Sequence, residues 1–332
     1  CSVLNQANTI YNLSVNIKNN DLSNNCMIIN AQNITLDCKE NYISSDDAYV
    51  GIYSNQINTT IKNCNVNMGA QGDYSMGIKL EGANDSYLLN NNLTSQDYGL
   101  YLDSSNNIIT NNITSNNNNY GFYLTSSSNN NFTNLRGNGN TWGIISYSSS
   151  NNLFNTGSLT GTTLHNIYFD GSSNNQMINF NLARGYPRQI GMSHYYEVRF
   201  GGSSINNTFL NCTYNVSEEG IPAGSQLIRK WYYRAHTKDT GNTDVENASV
   251  DLYNGIDASP YISLTTNSSG WTNITHIIDY LSNGNGRIYY DNSVIASNYN
   301  FSLWDDHIYN VTDEQNNLND SFVLDIDITP PV

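Results

Sequence analysis

The residues able to do chemistry in this chain are few and scattered. Lys and Arg number 13 against 28 Asp and Glu, giving a net charge of −15, with 5 His and 5 Cys. One segment stands out: "ARGYPRQIGMSHYYEVRF", residues 183–200, holds Arg184, Arg188 and Arg199, three of the seven arginines, beside Tyr186 and His194. Those residue types favour interfaces. The segment reads either as a tolerated surface loop or as a recognition loop for an acidic patch on a neighbouring subunit or for a glycan. Hydrolysis of polysaccharides needs paired carboxylates, but Asp46 and Asp47 stand alone in a turn, and "NTD" at Asn242 to Asp244 reads as another turn. Lyase chemistry needs a Lys or Arg base beside Ca²⁺-binding acids; Lys39, Lys62 and Lys79 recur at suitable positions without an aspartate cluster. His165, His194, His236, His276 and His307 form no i, i+4 pair, and the five methionines do not group. No catalytic residue, cofactor or metal site is expected, and the chain does not read as an enzyme.

The cysteines and sequons point to chemistry of another kind. Cys38 and Cys64 are 26 apart, the same step as between Gly51 and Gly77, so they are expected one above the other as a disulfide. Cys1 and Cys26 are expected to staple the first strand in the same way. Cys212 is left over, as a buried thiol or an intermolecular bridge. Asn-x-Ser/Thr triplets occur at Asn12, Asn33, Asn58, Asn84, Asn92, Asn112, Asn131, Asn206, Asn211, Asn215, Asn247, Asn267, Asn273, Asn300, Asn310 and Asn319. They suggest N-linked glycans on an extracellular, cell-surface protein. The acidic balance argues against nucleic acid, which needs clustered cations. No apolar run is long enough to span a membrane. A start at Cys1 reads as a processed end, and the closing "TPPV" as a linker at 328–332.

Something must position these residues, and a repeat supplies it. Gly51, Gly77, Gly99, Gly121 and Gly143 each open a similar stretch, such as "YGLYLDSSNNIITNNIT" and "YGFYLTSSSNNNFTNLRG", at steps of 26, 22, 22 and 22. Further copies begin at Asn166 and Val198, and an upstream one is "CMIINAQNITLDCKENYI". A period of 22 is one coil of a solenoid. Short alternating apolar pieces separated by Ser, Asn and Gly predict three strands and three turns per coil, hence a parallel β-helix of about eight coils over residues 1–216. The pairs Asn106–Asn107, Asn129–Asn130, Asn151–Asn152 and Asn174–Asn175 are expected to stack as amide ladders between coils. The tract Asn116 to Asn119 reads as a permissive loop.

With "CSVLNQANTIYNLSVNI", "NCMIINAQNITLDC", "IKNCNV" and the "YGLYLDSSNN" coils, this region resembles the right-handed parallel β-helix repeat (NosD-like) proteins of many archaeal surface and secreted proteins. The resemblance implies the fold; the family spans structural, adhesive, carbohydrate-binding and metal-delivery roles. Residues 217–327 read as a β-sandwich of seven strand candidates, and "KDTGNTDVENASVDLYNG" with "LTTNSSGWTNIT" resembles the transthyretin-like, carboxypeptidase regulatory-like modules, which implies a spacer or assembly surface. The expected function is a secreted, N-glycosylated structural subunit of a filament, appendage or surface layer, partnered by copies of itself or by other surface proteins. The alternative is a carbohydrate-binding or polysaccharide-degrading β-helix, which an aromatic row with a carboxylate pair along one groove would favour.

Overall fold

A computed structural model describes residues 1–69, 74–185, 196–254, 257–298, 305–310 and 318–324. Its regular structure is strand, apart from one 3-10 turn at Val216–Glu218. The chain forms two compact units: Cys1–Thr208, Cys212–Leu227 and Asn283–Asn285, then Phe209–Asn211, Ile228–Ser282 and Gly286–Val332. The main break falls at Leu227, later than the expected 216, because the coil stack goes on: Val198 pairs in parallel with Glu219, and Arg199 with Gly220. The expected linker at 328–332 lies outside the described residues.

The first unit is a parallel β-helix. One row of strands includes Met76–Glu81, Tyr98–Asp103, Tyr120–Thr125, Trp142–Tyr147, His165–Asp170 and Val198–Gly201. Ten strands stack in this row, making about nine turns against the expected eight. Leu100 lies beside Phe122, Phe122 beside Ile144, and Ile144 beside Ile167. The second and third strands of a coil are separate early on, as in Thr60–Lys62 and Asn65–Met68. Later they merge into single bent strands such as Ile109–Asn116 and Asn131–Asn138. Each bend is a residue in the left-handed region: Asn63, Asn90, Asn112, Asn134, Thr156 and Asn179 have φ between 54° and 63°. Asn tolerates that backbone because its short amide bonds locally. The repeating glycine has a different cause. A Cβ on Gly99 would stand 2.0 Å from Ser115 Oγ and 2.7 Å from the Gly121 carbonyl oxygen, so the coils close only without it.

The interior is apolar with polar seams at its corners. Phe132 stacks on Phe154 at 4.8 Å and Phe169 on Phe200 at 5.5 Å. At one corner Ser105, Ser127, Ser149, Ser172 and Ser204 form a fully buried column, in which Ser127 Oγ accepts the Ser105 N–H, Ser149 Oγ that of Ser127, and so on upward. Beside it Asn130, Asn152, Asn175 and Asn207 are buried too. Asn152 Oδ1 accepts the Asn130 N–H at 2.9 Å, and its Nδ2 donates to the Ser127 carbonyl at 3.1 Å. These rungs join side chain to backbone, and the expected amide-to-amide bond is added at one step, where Asn175 Nδ2 donates to Asn207 Oδ1 at 3.1 Å. One expected pair is a residue out of step, since Asn107 shares the exposed bend with Asn129 while Asn130 stands over Ile108; the pairs at Asn129–Asn130, Asn151–Asn152 and Asn174–Asn175 stack in register. True amide ladders run outside, from Asn58 to Asn33 to Asn8 and from Asn112 to Asn90. The tract expected to be a loop forms another seam. Asn118 is fully buried, its Oδ1 accepting the Gln96 N–H at 2.9 Å, and Asn140 Oδ1 in turn accepts the Asn118 N–H.

Both expected disulfides join adjacent coils, Cys1 to Cys26 with Cα atoms 4.4 Å apart and Cys38 to Cys64 at 4.8 Å. Cys212 is a buried thiol lying 3.4 Å from the Met177 carbonyl oxygen.

The second unit is all β. Ser249–Asn254 pairs antiparallel with Ile262–Thr265 and with Asp291–Ser297, which pairs with Asp305–Asn310. The long strand Leu227–Asp239 pairs in parallel with Leu318–Leu324. Trp231, Tyr233, Ala235, Val250, Leu252, Ile277, Val294, Ala296 and Phe322 share one apolar core. The expected strand "GRIYYDNSVIASNYNF" splits at Tyr290, Arg287–Tyr289 pairing with Thr275–Ser282 and Asp291–Ser297 with Ser249–Asn254. Arg229 is buried against Asp279 at 3.3 Å and lies over Trp231.

Replacing Asn152 by Ala strands one backbone N–H and one carbonyl in the core, and should cost about 2–4 kcal/mol in urea unfolding. Asn107→Gly, which keeps the bend and loses only an exposed amide bond to Asp85, should cost under about 1 kcal/mol. Gly157 lets the Phe180 ring approach to 2.4 Å from where a Cβ would be; Gly157→Ala should therefore cost about 1–3 kcal/mol, and Phe180→Leu in the same chain should recover part of the loss.

Candidate functional site

In "YGLYLD" the residues at 99, 100 and 102 turn inward, which leaves Tyr98, Tyr101 and Asp103 facing out. Because the register holds, each becomes a column. The first runs Met76, Tyr98, Tyr120, Trp142, His165; the second Tyr53, Lys79, Tyr101, Tyr123, Ile145, Tyr168, Arg199; the third Glu81, Asp103, Thr125, Tyr147, Asp170. Tyr98 stacks on Tyr120 at 4.6 Å and 14°, and Tyr101 on Tyr123 at 5.0 Å and 11°. Across the columns the rings meet edge to face, Tyr98 against Tyr101 at 83° and Tyr120 against Tyr123 at 78°. The ring faces are thus spent on one another. What this herringbone offers is a row of ring rims and hydroxyls, held by pair energies of about 0.5–1.5 kcal/mol each.

Carboxylates border the rings. Glu81 and Asp103 are register neighbours. Glu81 pairs with Lys79 Nζ at 2.9 Å and accepts the Tyr53 hydroxyl at 3.1 Å. The Lys79 bond is the main reason its carboxyl is held below the usual range, against the effect of burial. Lys79 lies between the Tyr53 and Tyr101 rings. Asp170 accepts the Tyr168 hydroxyl at 3.1 Å, and Asp97 is buried with the Asn119 amide 2.9 Å away. Burial is the first cause that raises the phenols, followed by these carboxylates or, at Tyr123, by the neighbouring Tyr101, Tyr147 and Tyr120: Tyr123 and Tyr168 are pushed up to about 12, and Tyr98, Tyr101, Tyr120 and Tyr147 also rise. Every one of these hydroxyls stays protonated at neutral pH, both donor and acceptor.

The segment 183–200 is handled differently from expectation. Arg184 is no exposed contact: its side chain is 5% exposed and bonds Glu218 at 2.7 Å. Arg199 stands over the Tyr196 ring, in the second column. Tyr186, Arg188 and His194 lie outside the described residues. Glu197 is buried, accepts the backbone N–H groups of Asn215 and Arg184, and is raised mainly by burial. The other candidates disperse. Lys39 and Lys62 both pair with the buried Asp37, at 2.9 and 3.4 Å, and Asp37 is held well below the carboxylate range: burial raises it, and the bonds from Lys39 and Asn63 outweigh that. Asp47 accepts the Leu22 N–H, and Asn242 to Asp244 close a turn against Asp239. Among the sequons, Asn33, Asn58 and Asn112 donate their amides to the exposed ladders, and Asn300 lies outside the described residues.

Burial pulls His165 down to about 4, with Arg199 and Arg184 adding to it and the bond to Tyr196 opposing. Its folded value is below the ordinary 6.5, so the unfolded chain binds the extra proton and stability should fall as pH drops from about 6.5 towards 4. Thermal melts of His165→Gln should show a shallower loss over that window, by about 2–3 kcal/mol.

The chain matches the family described as "Periplasmic copper-binding protein (NosD)" over residues 5–186, more than half its length. The described donors do not fit copper. Soft sites need converging His, Cys or Met, whereas four cysteines are in disulfides, Cys212, Met27, Met68 and Met177 are core, His165 bonds Tyr196, and His236 is clamped by Asp244 and Trp271. No cluster of three or more His, Cys, Asp or Glu fit for a metal occurs among the described residues. No helix there is long and apolar enough to cross a membrane. Among solved structures, the chain is similar to the A-module of the Azotobacter vinelandii mannuronan C-5 epimerase AlgE4, at 12% identity over 66% of this chain and 72% of that one, with a TM-score of 0.43. It is also similar to ORF18 of Geobacillus virus E2, at 12% over 86% and 70% with 0.43. For the tailspike protein of Acinetobacter baumannii phage AM24 the figures are 10% over 92% and 66% with 0.31. No curated protein matches. The coil register, the buried seams and the match over residues 5–186 together make this chain a member of the NosD family of parallel β-helix proteins.

Proposed function

We propose that this protein is an extracytoplasmic carbohydrate-binding β-helix whose aromatic and acidic face lies along a glycan chain. The observation that carries this reading is the column pair Tyr98–Tyr120–Trp142 and Tyr101–Tyr123, bordered by Glu81 and Asp103. Protonated phenols and carboxylates offer the alternating donors and acceptors that sugar hydroxyls require, on side chains whose rotamers are locked by stacking. Sugars meet rims and hydroxyls here, where stacking on open ring faces was expected.

Binding is favoured over cleavage by the electrostatics of the acids. A glycosidase needs one carboxyl held protonated to serve as general acid, and Glu81 is displaced the other way by Lys79. The filament or surface-layer subunit that the sequence put first yields to this reading, because the aromatic row with a carboxylate pair is the feature that distinguishes the two. Self-association and N-glycosylation at the sixteen sequons are compatible with it. In the same reading the second unit is a transthyretin-like spacer that carries the binding rod.

Affinity electrophoresis in gels cast with soluble polysaccharides tests this. The wild type should be retarded by at least one of them, and Tyr101→Ser with Tyr123→Ser should weaken binding about tenfold or more with the β-helix circular-dichroism signal kept. Tyr11→Ser, on another row, should bind as the wild type does. If no glycan retards the wild type, the reading fails.

A further inference from the structure

Sugar polymers differ most sharply in charge, and the charges on this face are unevenly placed. The three central coils, Tyr98–Asp103, Tyr120–Thr125 and Trp142–Tyr147, contribute six outward aromatic rings in all, Tyr98, Tyr101, Tyr120, Tyr123, Trp142 and Tyr147, and no cation. Their formal charge comes from Asp103, with Asp97 just behind the first column. The cations of the columns stand at the two ends. Lys79 is engaged by Glu81 at 2.9 Å, and Arg199 stands over Tyr196.

Recognition of a uronate or sulfate needs Arg or Lys groups presented to it, Arg in paired geometry above all. This face presents Glu81, Asp103 and Asp170 instead, within a chain of net charge −15 that repels polyanions at long range. The phenol hydroxyls are shared with carboxylates: Tyr53 with Glu81 and Tyr168 with Asp170. Such groups pair with sugar hydroxyls, which both donate and accept, whereas a polyanion laid along the central coils would meet Asp103 and the neighbouring Glu81 and Asp170 with no cation there to neutralise it.

Resting on the carbohydrate-binding reading, we infer that the glycan taken by this face is an uncharged, hydroxyl-rich polysaccharide, lying parallel to the helix axis, and that polyuronates and sulfated glycans are rejected. The second column spans five coil steps from Tyr53 to Tyr168, about 24 Å at a coil spacing of about 4.8 Å, room for several sugars in line.

The test compares three soluble polymers by affinity electrophoresis and calorimetry on the full chain: hydroxyethylcellulose as the neutral probe, polygalacturonate as the anionic one, and a partly deacetylated amino-sugar polymer as the cationic one. Each is run at low salt and at about 1 M, where charges are screened beyond about 3 Å. The neutral polymer should bind at least tenfold tighter than polygalacturonate, with an affinity that salt changes less than about twofold. Glu81→Lys with Asp103→Lys should raise polygalacturonate binding about tenfold at low salt, an increase that salt abolishes. Wild-type preference for polygalacturonate, or a salt-sensitive preference for the amino-sugar polymer, overturns this inference and leaves glycan binding standing. Binding of none of the three, in a protein that any other glycan retards, overturns the choice of an uncharged chain; retardation by no glycan at all overturns both.

Discussion

A β-helix must turn its backbone three times per coil, and each turn threatens to leave peptide groups unbonded inside a dry core. An orphaned buried N–H or C=O costs about 1–3 kcal/mol, and the stack repeats every corner about nine times. This chain answers with inward side chains that complete the backbone of the next coil: the Ser105 to Ser204 column, the Asn130 to Asn207 column and the Gln96, Asn118, Asn140 column. Because each rung bonds to the coil above or below, every coil depends on its neighbours for its own hydrogen bonding. The unusual asparagine content follows from this need, together with the left-handed bends that Asn accepts.

The same register that seals the inside composes the outside. Once Leu100, Phe122 and Ile144 are aligned within the core, Tyr98, Tyr120 and Trp142 have no choice but to align on the surface. The result is a rigid surface whose rings support one another. Rigidity of this kind lowers the entropy lost on binding, which is how a shallow face can hold a flexible polymer. It also explains why the rings are partly buried without being part of the core, and why their hydroxyls are hard to ionise.

Much of this was readable beforehand, and the misses have physical causes. The period, the strand type and the Cys38–Cys64 and Cys1–Cys26 pairs come directly from residue spacing. The Asn106–Asn107 pair was set one residue out of step with the coils after it because "NN" looks the same in either frame, and only the inward or outward direction of each side chain separates the bend at Asn129 from the rung at Asn130. "SNNNN" looked permissive because polar residues are usually solvated; in fact Asn118 is buried. Arg184 looked like a contact residue on the strength of its type, yet its partner Glu218 is 34 residues away, a pairing that no local pattern announces.

The aromatic face is the clearest division between the two sources of information. Each tyrosine was visible in the sequence, as was a 22-residue repeat that returns it to the same height. Their spacing determined that they would share a row, since a parallel stack brings equivalent positions within about 4.8 Å. What only the tertiary structure decided is how the rings lie: stacking along each column and edge-to-face contact across columns turn their faces inward to each other and leave hydroxyls beside Glu81, Asp103 and Asp170. Ring orientation depends on side-chain torsions set by neighbours from other coils, and so on contacts that exist only after the coils have closed.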